Sequence, residues 1–213
     1  MKRRIVITGM GVISPIGTNL EAFWSNLIAG KSGIGHTRGC DCSDLPSKIS
    51  GEIKNYDPLL YLEKKEVKRL DLSQQYALAA TKLAIEDAAL RAGKFEPDRV
   101  GVIIGSGIGG IITFEQQHLL VVQGRPERIS PFFIPMMIPD MSSGLVAIKY
   151  GYKGPNYAAV SACASSSHAI ADSFMIIREG IADVMISGGT EAAITRTSIA
   201  GFCNARALSQ RND

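Results

Sequence analysis

A cysteine stands between a short apolar run and a run of small residues in the stretch from Asn156 to His168. Val160 and its alanine neighbours suit a buried strand, and the small side chains from Ala162 onward let a helix start tightly against other backbone. We therefore predict a strand, a sharp turn and a helix that begins at Cys163 and runs to a cap at Gly180. The helix is apolar enough along its length to be buried.

A thiol at the start of a helix is placed to react. The unpaired N–H groups and the positive end of the helix dipole favour the thiolate, which is the nucleophilic form of cysteine. The alternative is that Cys163 is a buried structural cysteine, which is the commoner role for one isolated residue. The small residues around Cys163 favour the nucleophile.

Strands and helices alternate along the rest of the chain. Apolar runs at Arg4–Ile13, Val100–Ile104 and Asp183–Ser187 predict strands. Helices are expected at about residues 20–30, 73–92, 111–122 and 140–150, and residues 31–61 are interpreted as a surface excursion with a short strand at 48–53. This order indicates an α/β fold with a mostly parallel sheet.

Composition limits the classes of protein that the chain can belong to. With 213 residues and 46% hydrophobic content, it can bury one substantial core or at most two small domains. A net charge of +3 favours neither nucleic acid nor a membrane as a partner, and four cysteines do not suggest a disulfide scaffold. The first residues resemble no signal peptide, and prolines at 131, 135 and 139 break the apolar run there. We expect a cytoplasmic protein.

Two further motifs could indicate a ligand. Gly105–Gly110 matches GxGxxG after a strand, but no acidic residue ends a second strand at the distance that a dinucleotide site requires, so a tight turn is preferred. His36, Cys40 and Cys42 could supply three metal ligands, but a fourth is missing and C-x-C is unusual zinc spacing. We predict no cofactor and no metal.

A cysteine nucleophile normally needs a base, and the three histidines do not provide one. His168 follows Cys163 by five residues, which places it about 140° around the helix. His36 lies in a loop and His118 on the helix at 111–122, with nothing in the sequence to bring either to the thiol. The partner groups must come from elsewhere.

Six motifs together closely resemble those of the β-ketoacyl-acyl carrier protein synthases, nearest the type II enzyme of dissociated fatty-acid synthesis. Each motif is weak alone, but they occur in order, with nearly the family's spacing, over the whole chain. They are Ile7–Gly17, Gly105–Gly110, Ser130–Phe133, Ser161–Ala164, Ser187–Glu191 and Ala205–Asp213.

The resemblance implies a thiolase-like fold. That fold has two similar halves, each a five-stranded mixed sheet with helices on both faces, and residues 1–213 correspond to the N-terminal half only. Family members continue for about as long again, through a second half that carries two catalytic histidines and a lysine. We therefore expect residues 1–213 alone to be inactive, with the helix after Cys163 partly uncovered.

The resemblance also implies a reaction. Cys163 would take an acyl chain from acyl carrier protein as a thioester and condense it with malonyl-carrier protein, with loss of CO2, to give a 3-oxoacyl product two carbons longer. The backbone N–H of Cys163 would be one oxyanion donor. Two alternatives remain, a thiolase that uses coenzyme A and a non-catalytic module that binds carrier protein.

Further residues have roles that the resemblance alone assigns. It implies a homodimer in which Phe133 reaches across the interface towards the partner's acyl pocket. Ile108 and Phe202 would line the pocket near the cysteine, and Ser198 is bulkier than the glycine often found at its position. The basic residues expected to bind the acidic carrier protein are Lys65, Lys68, Arg69, Arg128 and Arg206.

Overall fold

A computed structural model describes residues 3–90 and 93–213. The chain divides into two compact units, the first formed by Met1–Gly11 and Pro58–Ala192 and the second by Val12–Asp57 and Ala193–Asp213. Cys163 belongs to the first unit. Within the described residues, no helix combines the length and the apolar character that crossing a membrane requires.

A parallel sheet forms the centre of the first unit. Its three strands are β3 (Val100–Gly105), β4 (Asn156–Tyr157) and β5 (Val184–Gly189), in the order β4-β3-β5. β3 pairs with β5 in register from Val100 opposite Val184 to Gly105 opposite Gly189. Every residue of β3 is buried, as expected for a parallel strand covered on both faces.

Helices cover this sheet. The helices of the first unit are α2 (Lys64–Val67), α3 (Leu72–Asp87), α4 (Ile111–Val122), α5 (Phe133–Met137), α6 (Met141–Tyr150) and α7 (Ser165–Arg178), of which α6 and α7 pack most closely against the strands. Val102 and Ile104 join side chains of α3 and α6 in one core cluster. Ile103, also fully buried, points to the opposite face because side chains alternate along a strand, and α7 packs against β3 and β5.

The second unit has its own small core. It contains α1 (Leu20–Ile28), the antiparallel pair β1 (Gly35–His36) and β2 (Ile49–Ser50), and α8 (Arg196–Asn204). Cys42 packs with Ile199 and Cys203 of α8 in a buried cluster. Arg196 of α8 also binds the loop that carries Cys42, through a bidentate ion pair with Asp44 at 2.7 and 2.8 Å.

The predicted α/β class is confirmed, but the predicted strand count is not. Three strands form the sheet in the described residues, where five were expected, and the separate β1-β2 pair belongs to the other unit. Arg4–Ile13, predicted as a strand, forms no ladder. Apolar character suits a strand only where another strand offers backbone hydrogen bonds, and Ile7 is instead 80% exposed.

The predicted strand before Cys163 is also shorter than expected. Only Asn156 and Tyr157 pair with β3, and Val160 is 59% exposed. Ser106 N–H still donates to the Ala159 carbonyl at 3.3 Å, so the backbone follows β3 a little farther without continuing the ladder.

The limits of the helices differ slightly from the predicted ones. α3 ends at Asp87, because Ala89 adopts a left-handed φ of 47°. Its predicted end, Ala92, lies outside the described residues. In α1 the cap is Asn19, whose side chain accepts the Ala22 N–H at 2.8 Å.

An exposed ion cluster joins the beginnings of β3 and β5. Asp183 accepts hydrogen bonds from Arg99 at 2.9 and 3.0 Å and from Arg3 at 2.8 Å. These bonds, first from Arg99 and then from Arg3, lower the pKa of Asp183 from 3.8 to about 2. This cluster lies at the amino ends of the strands, opposite the carboxyl ends that lead towards Cys163.

One buried carboxylate caps two helices. Asp71, 1% exposed, accepts the N–H and hydroxyl of Ser73 in α3 at 2.9 and 2.8 Å. Its other oxygen accepts the N–H and hydroxyl of Thr113 in α4 at 3.1 and 2.7 Å. Gln74, next to this cap, donates to the carbonyl of Pro135 in α5 at 2.7 Å. The start of α3 therefore fixes the start of α4 and the backbone of α5.

We expect Asp71→Ala to lower the free energy of unfolding by about 2 to 4 kcal/mol, because two helix caps are lost at a buried site. Urea unfolding of the full-length protein measures the change. Asp98→Ala, at an exposed aspartate, is the matched control and should have a small effect. A loss no larger than that of the control would contradict the double cap.

Candidate active site

Cys163 lies in a single turn of 3-10 helix, Ala162–Ala164, directly before α7. The predicted helix start is therefore two residues early, since α7 begins at Ser165. The thiol is free and the residue is exposed. Ala162 has a left-handed φ of 51°, which is unfavourable for a residue with a Cβ and marks a sharp bend immediately before the cysteine.

Ser165 holds the bend in place. Its hydroxyl accepts the Ser161 N–H at 2.9 Å and donates to the Ala162 carbonyl at 2.7 Å. Ser165 is only 3% exposed, so these bonds are shielded from water. The strained Ala162 is thus tied on both sides to the first residue of α7.

Glycines at the ends of two strands let this bend approach the sheet. A Cβ on Gly105, the last residue of β3, would overlap the Ser165 backbone. A Cβ on Gly189, the last residue of β5, would overlap the Ser166 side chain. Cys163 therefore lies at the carboxyl edge of a parallel sheet, the usual position of ligand sites in open α/β folds.

The glycine-rich turn Gly105–Gly110 binds a carboxylate of the chain itself. Glu191 Oε2 accepts the N–H groups of Gly107 and Ile108 at 2.7 and 3.1 Å, and Oε1 accepts the Ser106 hydroxyl at 3.0 Å. These donors are of the kind that would otherwise bind a phosphate, which supports the tight turn over a dinucleotide site. The sequence analysis gave Glu191 no role, because its bonds join segments that are more than 80 residues apart.

In the described residues, none of the hydrogen bonds found for the three histidines reaches the Cys163 thiol. His168 Nδ1 lies 2.6 Å from the Ser161 hydroxyl, and the residue is exposed. His118 stacks on Phe114 with ring centroids 5.8 Å apart. His36 is in the second unit. That His168 does not serve Cys163 stays a prediction.

The residues predicted to line an acyl pocket are divided between the two units. Ile108, in the glycine-rich turn, is 40% exposed, and Phe133 is the half-buried first residue of α5. Ser198 and Phe202 lie on α8 in the second unit, where the Ser198 N–H donates to the Thr195 hydroxyl at 3.1 Å and Phe202 is 46% exposed.

The predicted basic residues have different surroundings. Lys65 pairs with Glu63 at 2.9 Å, and that hydrogen bond raises the pKa of Lys65. Lys68 is exposed and takes part in none of the ion pairs found in the described residues. The Arg69 guanidinium lies 4.7 Å from the centre of the Phe132 ring. Arg128 and Arg206 are exposed, Arg206 in the second unit.

Two of the three candidate metal ligands lie close together. Cys40 and Cys42 have their sulfur atoms 3.5 Å apart. Across residues 3–90 and 93–213, no group of three or more His, Cys, Asp or Glu side chains could hold a metal ion.

Comparison with known proteins assigns the family. The sequence pattern of the family described as "Beta-ketoacyl synthase, N-terminal domain" matches residues 2–213, so the chain belongs to the β-ketoacyl synthase family. The chain is 48% identical over 212 residues to a 3-oxoacyl-[acyl-carrier-protein] synthase 2 of Synechocystis sp. and 46% identical over 211 residues to one of Staphylococcus aureus (strain COL). The matches cover 100% and 99% of this chain but 51% of each relative, so the chain spans about half their length.

A solved structure gives the same fold. The ishigamide ketosynthase/chain length factor superposes with a TM-score of 0.91 at 25% identity, over 98% of this chain and 52% of that one. The expectation of the ketosynthase fold of the thiolase-like class is thereby confirmed.

We expect Gly105→Ala to slow alkylation of Cys163 by about 10-fold and to lower the unfolding free energy by about 1 to 3 kcal/mol, because the new methyl group pushes α7 away from β3. Gly144→Ala in α6, where an added Cβ meets only the Met141 sulfur at 3.9 Å, is the control and should be neutral or slightly stabilising. Iodoacetamide labelling and urea unfolding of the full-length protein measure both effects. Equal labelling rates in the two variants would contradict the close approach.

Proposed function

We propose that Cys163 is the nucleophile of a condensing enzyme of fatty-acid chain elongation. The observation that carries the proposal is the exposed free thiol of Cys163 on a strained turn, held by Ser165 at the carboxyl edge of the sheet. The curated relatives that match the whole chain carry the name 3-oxoacyl-[acyl-carrier-protein] synthase 2, which supports thioesters of acyl carrier protein as the proposed substrates.

The proposed reaction has two steps. The Cys163 sulfur attacks the acyl thioester of acyl carrier protein, forms an enzyme thioester and releases the carrier's thiol. Malonyl-carrier protein then loses CO2, and the carbanion attacks the enzyme thioester to give 3-oxoacyl-carrier protein and the free Cys163 thiol. The backbone N–H of Cys163, in the turn before α7, is proposed to donate to the developing oxyanion.

The remaining catalytic groups are proposed to come from beyond residue 213. His168 is engaged with Ser161, and the resemblance places two histidines and a lysine in a second half. The exposed side of α7 supports this division, since Ile170 and Phe174 are 53% and 46% exposed on a helix whose Ala169 is fully buried. We propose that the second half of the fold covers that side.

Carrier-protein binding is proposed for the basic residues of the first unit. Acyl carrier proteins are acidic, and Lys68 offers an exposed charge that no carboxylate in the described ion pairs neutralises. Glu66, its near neighbour in sequence, pairs with Lys149 at 2.9 Å. Lys65, Arg69 and Arg128 are proposed as secondary contacts, and Arg206 stays a prediction from the resemblance.

A homodimer in the cytosol completes the proposal. Apolar side chains of α4 and α5 lie on the surface of the first unit, with Leu119 at 53%, Val122 at 69% and Ile134 at 54% exposed. Such a surface is suited to burial against a second copy. Ile108 and Phe133 are proposed to line the acyl pocket, and the corresponding roles of Ser198 and Phe202 rest on the resemblance. A reducing compartment would keep Cys163 a thiol.

Labelling of the full-length protein with iodoacetamide, followed by peptide mapping, tests the nucleophile. We expect the first equivalent of label on Cys163, because Cys42 and Cys203 are buried. Prior incubation with an acyl carrier protein thioester should protect Cys163 and add the mass of the acyl group to its peptide. Label and acyl group on another cysteine would refute the assignment.

Charge reversal tests carrier binding. We expect Lys68→Glu to raise the KM for carrier-bound substrate by about 3- to 10-fold at low salt, with a smaller change at high salt. Lys65→Glu should have less effect, because Glu63 already offsets its charge. Lys153→Glu, an exposed lysine near the amino end of β3, is the control. An unchanged KM in Lys68→Glu would leave these lysines as an ordinary solvated surface.

A further inference from the structure

We propose that Glu191 is a positioning residue for Cys163, an inference that rests on the proposed function of that cysteine. Its carboxylate holds the turn Gly105–Gly110 in the conformation that supports the bend at Ala162. Glu191 acts through the turn, since the hydrogen bonds of its side chain go to the turn and not to the cysteine.

One carboxylate fixes most of the turn. Glu191 accepts two backbone N–H groups directly, from Gly107 at 2.7 Å and from Ile108 at 3.1 Å. It also accepts the Ser106 hydroxyl at 3.0 Å, and Ser106 Oγ in turn accepts the Gly109 N–H at 3.0 Å. Hydrogen bonds to an ionised acceptor are about twice as strong as neutral ones. Four consecutive residues therefore depend on one side chain.

The backbone that carries Glu191 is itself anchored. The Thr190 N–H donates to the Gly105 carbonyl at 2.9 Å, and the Thr190 hydroxyl donates to the Ser73 carbonyl at 2.6 Å. Gly105 ends β3 and Ser73 lies in the first turn of α3. The carboxylate is thus presented from a segment tied to both the sheet and a helix.

The turn lies beside the bend before Cys163 on one side and beside α5 on the other. A Cβ on Gly107 would lie 3.4 Å from both Cα and the carbonyl oxygen of Ala162. At the far end, the Gly110 N–H donates to the Met137 carbonyl at 2.9 Å, and a Cβ on Gly109 would lie 2.6 Å from that same oxygen. A displaced turn would press on the strained residue beside the nucleophile or leave it unsupported.

The alternative is that Glu191 only stabilises its own turn. Removal of the carboxylate would then free Gly107 and Ile108 without consequence at Cys163. The two possibilities predict different rates of hydrogen exchange at the Ala164 amide. This amide donates to the Ser161 carbonyl at 3.1 Å across the bend. They also predict different reactivities of the Cys163 thiol. If Glu191 stabilises only its own turn, the loss of its carboxylate should leave that reactivity unchanged.

The test compares Glu191→Ala, Glu191→Gln and Glu179→Ala in the full-length protein. Glutamine keeps the size and one carbonyl acceptor, so it should recover part of the effect. Glu179 is an exposed carboxylate paired with Arg178 at 3.0 Å and serves as the matched control. The readouts are the rate of Cys163 alkylation by iodoacetamide and hydrogen exchange of individual amides by NMR or fragment mass spectrometry.

We expect alkylation of Cys163 to slow by about 10-fold in Glu191→Ala and about 3-fold in Glu191→Gln, with no change in Glu179→Ala. Exchange should accelerate at Ala164 as well as at Gly107 and Ile108. If Glu191→Ala does not fold, the slower labelling and faster Ala164 exchange in Glu191→Gln decide the question. Faster exchange confined to Gly107 and Ile108, with unchanged labelling, would overturn the proposal.

These readouts do not depend on the condensation reaction. If the unmodified protein transfers no acyl group to Cys163, the proposed function fails while the coupling between Glu191 and the bend can still be observed. If acyl transfer occurs and labelling is insensitive to Glu191, the positioning role fails alone.

Discussion

The close contact between the first turn of α7 and the ends of β3 and β5 is the constraint on which the rest of the site depends. Side chains at Gly105 and Gly189 would overlap Ser165 and Ser166, so only glycine lets the helix start this near the sheet. The chain enters that turn through Ala162, whose left-handed backbone is costly. Ser165 offsets the cost by bonding to backbone on both sides of Ala162.

That contact also leaves the Cys163 thiol exposed at the surface. The bend places Cys163 outside the core with an accessible thiol, while the helix behind it is buried at Ala169 and Ser173. In the glycine-rich turn beside Cys163, the N–H groups of Gly107 and Ile108 are not available to bind a phosphate, because they already donate to the Glu191 carboxylate. The Glu191 carboxylate, which follows β5, therefore joins the motif Ser187–Glu191 to the motif Gly105–Gly110.

Many of the strands and helices could be predicted from the sequence, because the hydrophobic runs and helix boundaries that identify them are local. Val100–Ile104 and Ile111–Val122 have runs and boundaries that identify a strand and a helix, and the structure follows them closely. Arg4–Ile13 has the same apolar pattern as β3 but forms no ladder, since pairing depends on a distant partner that the local sequence does not specify. The role of Cys163 stays a prediction, and the predicted start of its helix is two residues early, because small residues are compatible with both 3-10 and α-helical turns. The role of Glu191 depends on tertiary contacts and could not be deduced from spacing.

A crystal structure of the full-length protein trapped with an acyl group would show directly whether Cys163 is the acylated residue. We expect a thioester on Cys163 Sγ, with its carbonyl oxygen about 3 Å from the Cys163 N–H and the Gly105–Gly110 turn still bound to Glu191. An acyl group on another residue would contradict it. So would a thioester oxygen directed away from the Cys163 N–H with the turn released from Glu191.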